Sequence, residues 1–63
     1  MNLRCCINYS SEIINYSEVM AFIYQTTTQL CPSQAVIFLT ADGKEVCSDP
    51  RAQWVRLLQN LLA

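Results

Sequence analysis

The middle of the chain carries the pattern of a β-sheet. Residues 19–28 are rich in β-branched and aromatic side chains, which favour a first strand. Residues 35–40 (AVIFLT) form a short continuous apolar run, which indicates a second strand. The Asp42-Gly43 pair that follows is the short-range signal of a hairpin. Residues 44–48 are therefore predicted to return antiparallel as a third strand.

The C-terminal part of the chain carries a helical pattern. Asp49 is able to cap the free amides of a helix and Pro50 suits a first turn, so the helix is predicted over residues 50–62. Its apolar positions recur at the helical spacings i, i+3, i+4 and i+7. They are Trp54, Val55, Leu58, Leu61 and Leu62. The sequence therefore predicts an α+β domain in which one helix packs across a three-stranded antiparallel sheet.

The pattern of hydrophobic and polar positions does not decide the environment of two segments. The run AVIFLT is apolar on both faces, and one helix covers only one of them. The alternatives for the other face are association, a position at a sheet edge, or incomplete cover. Residues 7–18 show neither a strand nor a helix period and are predicted to form an ordered loop with apolar contacts. This loop contains two N-x-[ST] sequons, at Asn8 and Asn15, a motif that also occurs by chance.

Cysteines decide how so short a chain is stabilised. A domain of 63 residues buries too little surface to rely on its core alone. The adjacent pair Cys5-Cys6 provides neither the C-x₂₋₄-C spacing of a zinc knuckle nor the C-x-x-C motif of a redox enzyme. Two structural disulfides are therefore predicted, in which Cys5 and Cys6 bond to different partners. Four cysteines allow three pairings, and their spacing does not choose between them.

Composition excludes several classes of function. The formal net charge is −1, so neither a nucleic-acid footprint nor a membrane-lytic peptide is indicated. No segment reaches the roughly 18 apolar residues of a membrane span. The chain has no histidine, no phosphate-binding loop and no paired carboxylates, so we expect no enzyme activity, no metal and no cofactor. No signal peptide is visible, so a secreted form would be a mature or recombinant chain.

Four features together resemble the CC chemokine family. They are the adjacent Cys5-Cys6 pair with Tyr9, the segment TTQLCPSQAVIFLT, the segment KEVCSDP, and the WV pair in the helix. The likeness extends from Cys5 to Leu62. It implies a chemokine-like fold with disulfides Cys5–Cys31 and Cys6–Cys47. It also implies a secreted, chemotactic cytokine of immune and inflammatory responses that binds seven-helix G-protein-coupled chemokine receptors.

The resemblance also implies an organisation for this single domain, which spans residues 1–63. An N-terminal arm (1–4) enters the receptor bundle, a docking loop (7–18) binds the receptor's extracellular N-terminus through residues 7–14, and the sheet (19–48) and helix (50–62) form the scaffold. The expected receptor-binding residues are Leu3, Arg4, Ile7, Asn8, Tyr9 and Ile14. The alternative for Tyr9 and Ile14 is that they mainly cover the sheet.

The chain departs from the family pattern in its charge and in its arm. The loop between the second and third strands holds one base, Lys44, among acids, so only weak glycosaminoglycan binding through Lys44 and Arg51 is expected. The four-residue arm points to a second function, a non-signalling antagonist or decoy. An engineered or self-associating module, including a homo-oligomer, is a further alternative because Leu57 and Leu61 extend the apolar character of the helix. These departures are typical of a divergent, viral or engineered member.

Overall fold

A three-stranded antiparallel sheet with one helix across it forms the scaffold. The structure is a computed structural model and describes residues 5–63; the predicted arm at residues 1–4 lies outside them. In chain order the elements are a short 3₁₀ helix (Tyr16–Glu18), strands β1 (Val19–Gln25), β2 (Ala35–Thr40) and β3 (Glu45–Ser48), and helix α1 (Gln53–Leu62). The strand order is β1-β2-β3, with both pairs antiparallel. The predicted α+β fold class is confirmed.

The central strand β2 is apolar on both faces, and both faces are covered at least in part. Phe38 pairs with Phe22 of β1 and faces the helix, while its neighbour Ile37 pairs with Ile23 and points to the opposite side. On that opposite side Ile37 and Ala35 pack with Cys6 in a small buried cluster, against which Cys47 also packs. The face that one helix leaves open is therefore partly covered by Cys6 and Cys47.

The larger core lies between the sheet and α1. Its buried members are Ile14, Val36, Phe38, Val46, Val55 and Leu58. The Phe38 ring lies 6.2 Å from the ring of Phe22 and 6.0 Å from that of Trp54, centroid to centroid, so an aromatic row crosses from β1 to the helix. Such contacts contribute about 0.5–1.5 kcal/mol each beyond the area that they bury.

Strand β1 is shorter than predicted. It ends at Gln25, whereas the β-branched run suggested an end at residue 28. The reason is local competition: the Thr28 hydroxyl accepts hydrogen bonds from the amides of Leu30 (3.2 Å) and Cys31 (3.0 Å), and the Thr28 amide donates to the Cys31 carbonyl (2.7 Å). A threonine that bonds the backbone in this way forms a turn rather than a strand ladder.

Helix α1 begins three residues later than predicted. The Asp49 carboxylate accepts the Arg51 amide (2.9 Å), and the Ala52 amide donates to the Asp49 carbonyl (3.1 Å), so residues 49–52 form a separate turn. The helix starts at Gln53, with Ala52 as its N-cap and no capping side chain among the described residues. The predicted cap at Asp49 was therefore wrong.

The apolar face of the helix is also narrower than predicted. Val55 and Leu58 are buried, and Trp54 and Leu62 pack at the edge of the core, but Leu61 is 63% exposed. The placement of Leu61 in the core was therefore wrong. A helix that lies on a small sheet buries only a narrow stripe, so residues at its margin stay in contact with water.

The β2–β3 hairpin follows the Asp-Gly prediction. Gly43 has φ of 84°, a left-handed conformation that glycine adopts without strain. The Thr40 hydroxyl donates to the Asp42 carboxylate, which also accepts the Lys44 amide (3.2 Å). The hydrogen bond from Thr40, and then that from Lys44, lower the pKa of Asp42.

We predict that Ser48→Ala stabilises the protein. The Ser48 side chain is fully buried, and its hydroxyl has no hydrogen-bond partner within residues 5–63. Removing an unpaired buried hydroxyl should raise the free energy of unfolding by ~1 kcal/mol. Chemical denaturation with the disulfides intact measures the change, and exposed Ser11→Ala is the control. A loss of stability in Ser48→Ala would contradict this account.

Candidate docking surface

The two disulfides hold adjacent residues at two different places in the fold. Cys5 is bonded to Cys31 in the loop after β1, and Cys6 to Cys47 in β3, with Cα–Cα distances of 5.3 and 5.8 Å. This is the pairing that the family resemblance implied. The bridges span 26 and 41 residues, for which loop-closure entropy gives ~3.5 and ~4 kcal/mol when each is considered alone. The start of the docking loop is thereby held against the sheet.

A buried glutamine strengthens this attachment. The Gln25 side chain accepts the Cys6 amide (2.8 Å) and donates to the Cys6 carbonyl (3.2 Å) and to the Ser33 carbonyl (2.7 Å). The Ser33 hydroxyl also donates to the Cys6 carbonyl (3.1 Å). Gln25 is 8% exposed, so these bonds are shielded from water. The sequence pattern does not single out this residue; its only signal is a polar side chain that ends an apolar strand.

Residues 9 and 10 attach the docking loop to its neighbours. The Ser10 amide donates to the Cys47 carbonyl (2.7 Å), which places the loop beside β3. The Tyr9 hydroxyl donates to the Gln34 carbonyl (2.6 Å), and the Tyr24 hydroxyl donates to the Gln34 side chain (3.2 Å). Tyr9 is 37% exposed, so part of the residue packs against the protein and part is in contact with solvent.

The two adjacent isoleucines of the loop have opposite environments. Ile14 is 5% exposed and packs in the core with Val36 and Phe38, whereas Ile13 is 72% exposed. Of the two alternatives for Ile14, covering the sheet is therefore the one that the structure shows, and its side chain is not presented at the surface. The exposed apolar side chains of residues 7–14 are Ile7, Tyr9 and Ile13.

The remaining predicted site residues divide into three groups. Asn8 lies exposed within the loop. Leu3 and Arg4 fall outside the described residues. Lys44 and Arg51 lie at the surface, but each is already paired with a carboxylate.

These ion pairs change the character of the predicted polyanion site. The Lys44 Nζ atom lies 2.9 Å from a carboxylate oxygen of Glu12, and the Arg51 Nε atom lies 3.2 Å from one of Asp49. The hydrogen bond and charge of Glu12 raise the pKa of Lys44, and the hydrogen bonds of Arg51 lower the pKa of Asp49. An anionic partner would meet two bases whose charge is already partly balanced by these carboxylates.

Two kinds of site are absent from residues 5–63. No three or more side chains of histidine, cysteine, aspartate or glutamate are grouped so that they could hold a metal ion. Over the same residues no helix combines the length and the apolar character that a membrane span requires.

Comparison with known proteins identifies the family. The model of the small cytokines (intecrine/chemokine), interleukin-8 like, matches residues 3–62. The chain belongs to the chemokine family. The adjacent cysteines agree with two of its relatives, which are C-C motif chemokines. The CC chemokine prediction is confirmed.

Two relatives show how much of this chemokine is shared. C-C motif chemokine 20 of Bos taurus is 32% identical over 62 residues, which cover 98% of this chain and 65% of the relative. C-C motif chemokine 4 of Rattus norvegicus is 43% identical over 51 residues, 81% of this chain and 53% of the relative. The chain therefore spans about one half to two thirds of the length of these curated relatives.

Solved structures agree on the chemokine fold. The solution structure of a reconstructed XCL1 ancestor superimposes with a TM-score of 0.84 at 24% identity, over 98% of this chain and 95% of that one. The crystal structure of viral macrophage inflammatory protein-II gives a TM-score of 0.78 at 33% identity, over 95% and 87% of the two chains.

We predict that Gln25→Ala destabilises this chemokine. The substitution leaves the buried amide of Cys6 and the carbonyl of Ser33 without their partner, which should lower the free energy of unfolding by about 2–4 kcal/mol. Denaturation of the oxidised protein measures the loss. Gln29→Ala, at an exposed position, is the matched control and should change stability by less than ~0.5 kcal/mol. Equal effects of the two variants would show that the buried hydrogen bonds do not matter.

Proposed function

We propose that this chain is a secreted chemotactic cytokine that binds seven-helix G-protein-coupled chemokine receptors and acts by binding rather than catalysis. The observation that carries this proposal is the family match over residues 3–62. The scaffold supports it, because two disulfides at adjacent residues separate the arm from the docking loop. In this proposal the protein directs the migration of cells in immune and inflammatory responses.

The docking step is assigned to the exposed apolar side chains of residues 7–14. Ile7 and Ile13 are each 72% exposed, and Tyr9 lies between them in sequence with its hydroxyl held by Gln34. Asn8 adds an exposed amide able to bond an extended peptide backbone. Because the loop is attached at Cys6, Ser10 and buried Ile14, little conformational entropy is lost when a receptor segment binds.

The triggering step is assigned to the residues before the cysteine pair, among them Leu3 and Arg4. The bonds of Cys5 and Cys6 hold the point from which this arm leaves the scaffold. Binding energy and signalling would then reside in different segments. A variant of the docking loop should change affinity, whereas a variant of the arm should change the signal at saturating ligand.

An antagonist, decoy or self-associating module is the second candidate. Leu57 is 55% exposed and Leu61 63% exposed, and they stand four residues apart on the outer side of α1. Two such side chains favour contact between copies at high concentration. Solution size measured over a dilution series tests the self-associating module, since a strictly monomeric chain that competes for a receptor is a ligand or an antagonist.

We predict different effects for the two neighbouring isoleucines. Ile13→Ala should weaken receptor binding ~10-fold while changing stability by less than ~0.5 kcal/mol, because the side chain is exposed. Ile14→Ala should instead lower the free energy of unfolding by about 2–4 kcal/mol, because it leaves a cavity in the core. Competition binding on cells that each express one chemokine receptor, together with denaturation, gives both readouts.

Calcium flux and migration of the same cells complete this experiment. Flux with migration identifies an agonist, and competition without flux identifies an antagonist. Absence of both flux and competition at micromolar concentration across the panel would refute the receptor-ligand proposal. Unchanged affinity of Ile13→Ala beside a strong wild-type ligand would refute the docking surface alone.

Weak polyanion binding is the corresponding prediction for the ion pairs. The wild-type chain should leave a heparin column below physiological salt, because Lys44 and Arg51 are already paired. Glu12→Gln with Asp49→Asn frees both bases and should raise the eluting salt concentration. Glu18→Gln with Glu45→Gln removes the same charge without freeing either pair, so it is the matched control. An equal rise in both variants would mean that net charge, not pairing, limits the binding.

A further inference from the structure

The docking loop contains two tripeptides with the acceptor sequence for N-linked glycans, and the structure treats them differently. They are Asn8-Tyr9-Ser10 and Asn15-Tyr16-Ser17. They share the same middle residue and the same hydroxyl residue, so the motif alone does not rank them. Both asparagines are exposed, and the difference lies in what holds the two residues that follow each of them.

The Asn8 tripeptide is bonded to distant parts of the fold. The Tyr9 hydroxyl donates to Gln34 and the Ser10 amide donates to Cys47. The Ser10 hydroxyl accepts the Glu12 amide (3.0 Å). In addition, Cys6 lies only two residues before Asn8 and is bonded to Cys47. Once that disulfide closes, the tripeptide lies along β3 and is not free to enter the cleft of a transferase.

The Asn15 tripeptide makes only local contacts. Its three side chains are exposed. Asn15 has extended backbone angles (φ −71°, ψ 139°), and its side chain caps nothing in the 3₁₀ helix that follows. The Asn15 Nδ2 atom lies 3.5 Å from the Glu18 carboxylate, a distance at which little hydrogen-bond strength remains.

Ile14 directs Asn15 toward solvent. Its side chain is buried in the core, so the next side chain along this extended segment leaves the surface on the other side. A bulky group on Asn15 therefore meets water rather than the sheet. The neighbouring Tyr16 ring, 52% exposed, is apolar surface that a glycan could partly cover.

We propose that Asn15, and not Asn8, is an N-glycosylation site of this protein; the proposal rests on the secretion proposed above. The co-substrate is an oligosaccharide joined through a diphosphate to a polyisoprenoid lipid. A C–N bond forms between Asn15 Nδ2 and C1 of the first sugar while the bond from C1 to the diphosphate oxygen breaks. The lipid diphosphate leaves with the electron pair, and the amide nitrogen loses one proton to the transferase.

The test is expression of the whole chain behind a secretion leader in eukaryotic cells. Intact mass is measured in medium and in cell lysate, before and after an amidase that removes N-glycans and leaves aspartate. We expect one mass shift in wild type, complete loss of it in Asn15→Gln and Ser17→Ala, and full retention in Asn8→Gln and Ser10→Ala. Peptide mapping should place the new aspartate at residue 15.

Two results would overturn the proposal: an unshifted wild-type chain, or a glycan on Asn8, alone or together with Asn15. Reading the lysate as well as the medium keeps the test valid when export is poor. Receptor binding is measured separately on refolded bacterial protein, which carries no glycan. A glycosylated chain without receptor activity would refute the ligand function and support the glycosylation site. An unshifted chain that signals would refute the site and support the ligand function.

Discussion

The attachment of residues 5 and 6 to two distant points of the sheet is the constraint on which the rest of this structure depends. Cys6 is held by a disulfide to β3 and by a pair of hydrogen bonds to Gln25 at the end of β1, so this residue bridges the two edge strands. The loop that follows has one route, alongside β3, until Ile14 enters the core. A flexible segment would present its surface in many conformations, whereas this attached loop presents its surface in one.

The same attachment compensates for a small core. The helix covers one face of the sheet with few buried side chains, chiefly Val55 and Leu58, and Trp54 adds its ring beside Phe38. The opposite face carries a small cluster around Ile37, and the Cys6–Cys47 disulfide supplies part of its cover. In a domain this small the disulfides thus have two effects. They restrict the unfolded chain, and they fill space in the folded domain that side chains would otherwise fill.

Charge has a different role here from the one that the family resemblance suggested. Lys44 and Arg51 lie at the surface, where a polyanion could reach them, yet each forms an ion pair with a carboxylate of its own chain. The pair between Glu12 and Lys44 also joins the docking loop to the β2–β3 turn. Exposed pairs of this kind contribute little to stability. In the proposed function, recognition is assigned to apolar side chains such as Ile13.

The sequence by itself determined the sheet and the single helix, because these follow from patterns that are read locally: the AVIFLT run, the Asp42-Gly43 turn and the helical spacing of the apolar residues after Pro50. The family was indicated by the resemblance of four motifs spread over the chain. It did not determine which of Ile13 and Ile14 faces the core, why β1 stops at Gln25, or that Leu61 remains exposed. Adjacent isoleucines are equivalent in any pattern of hydrophobicity, and a buried glutamine looks like any polar residue. The packing of Val36 and Phe38 against the loop distinguished Ile14 from Ile13, and the position of Cys6 beside Gln25 distinguished this glutamine from other polar residues. Only the tertiary structure shows this, because burial depends on neighbours that are remote along the chain.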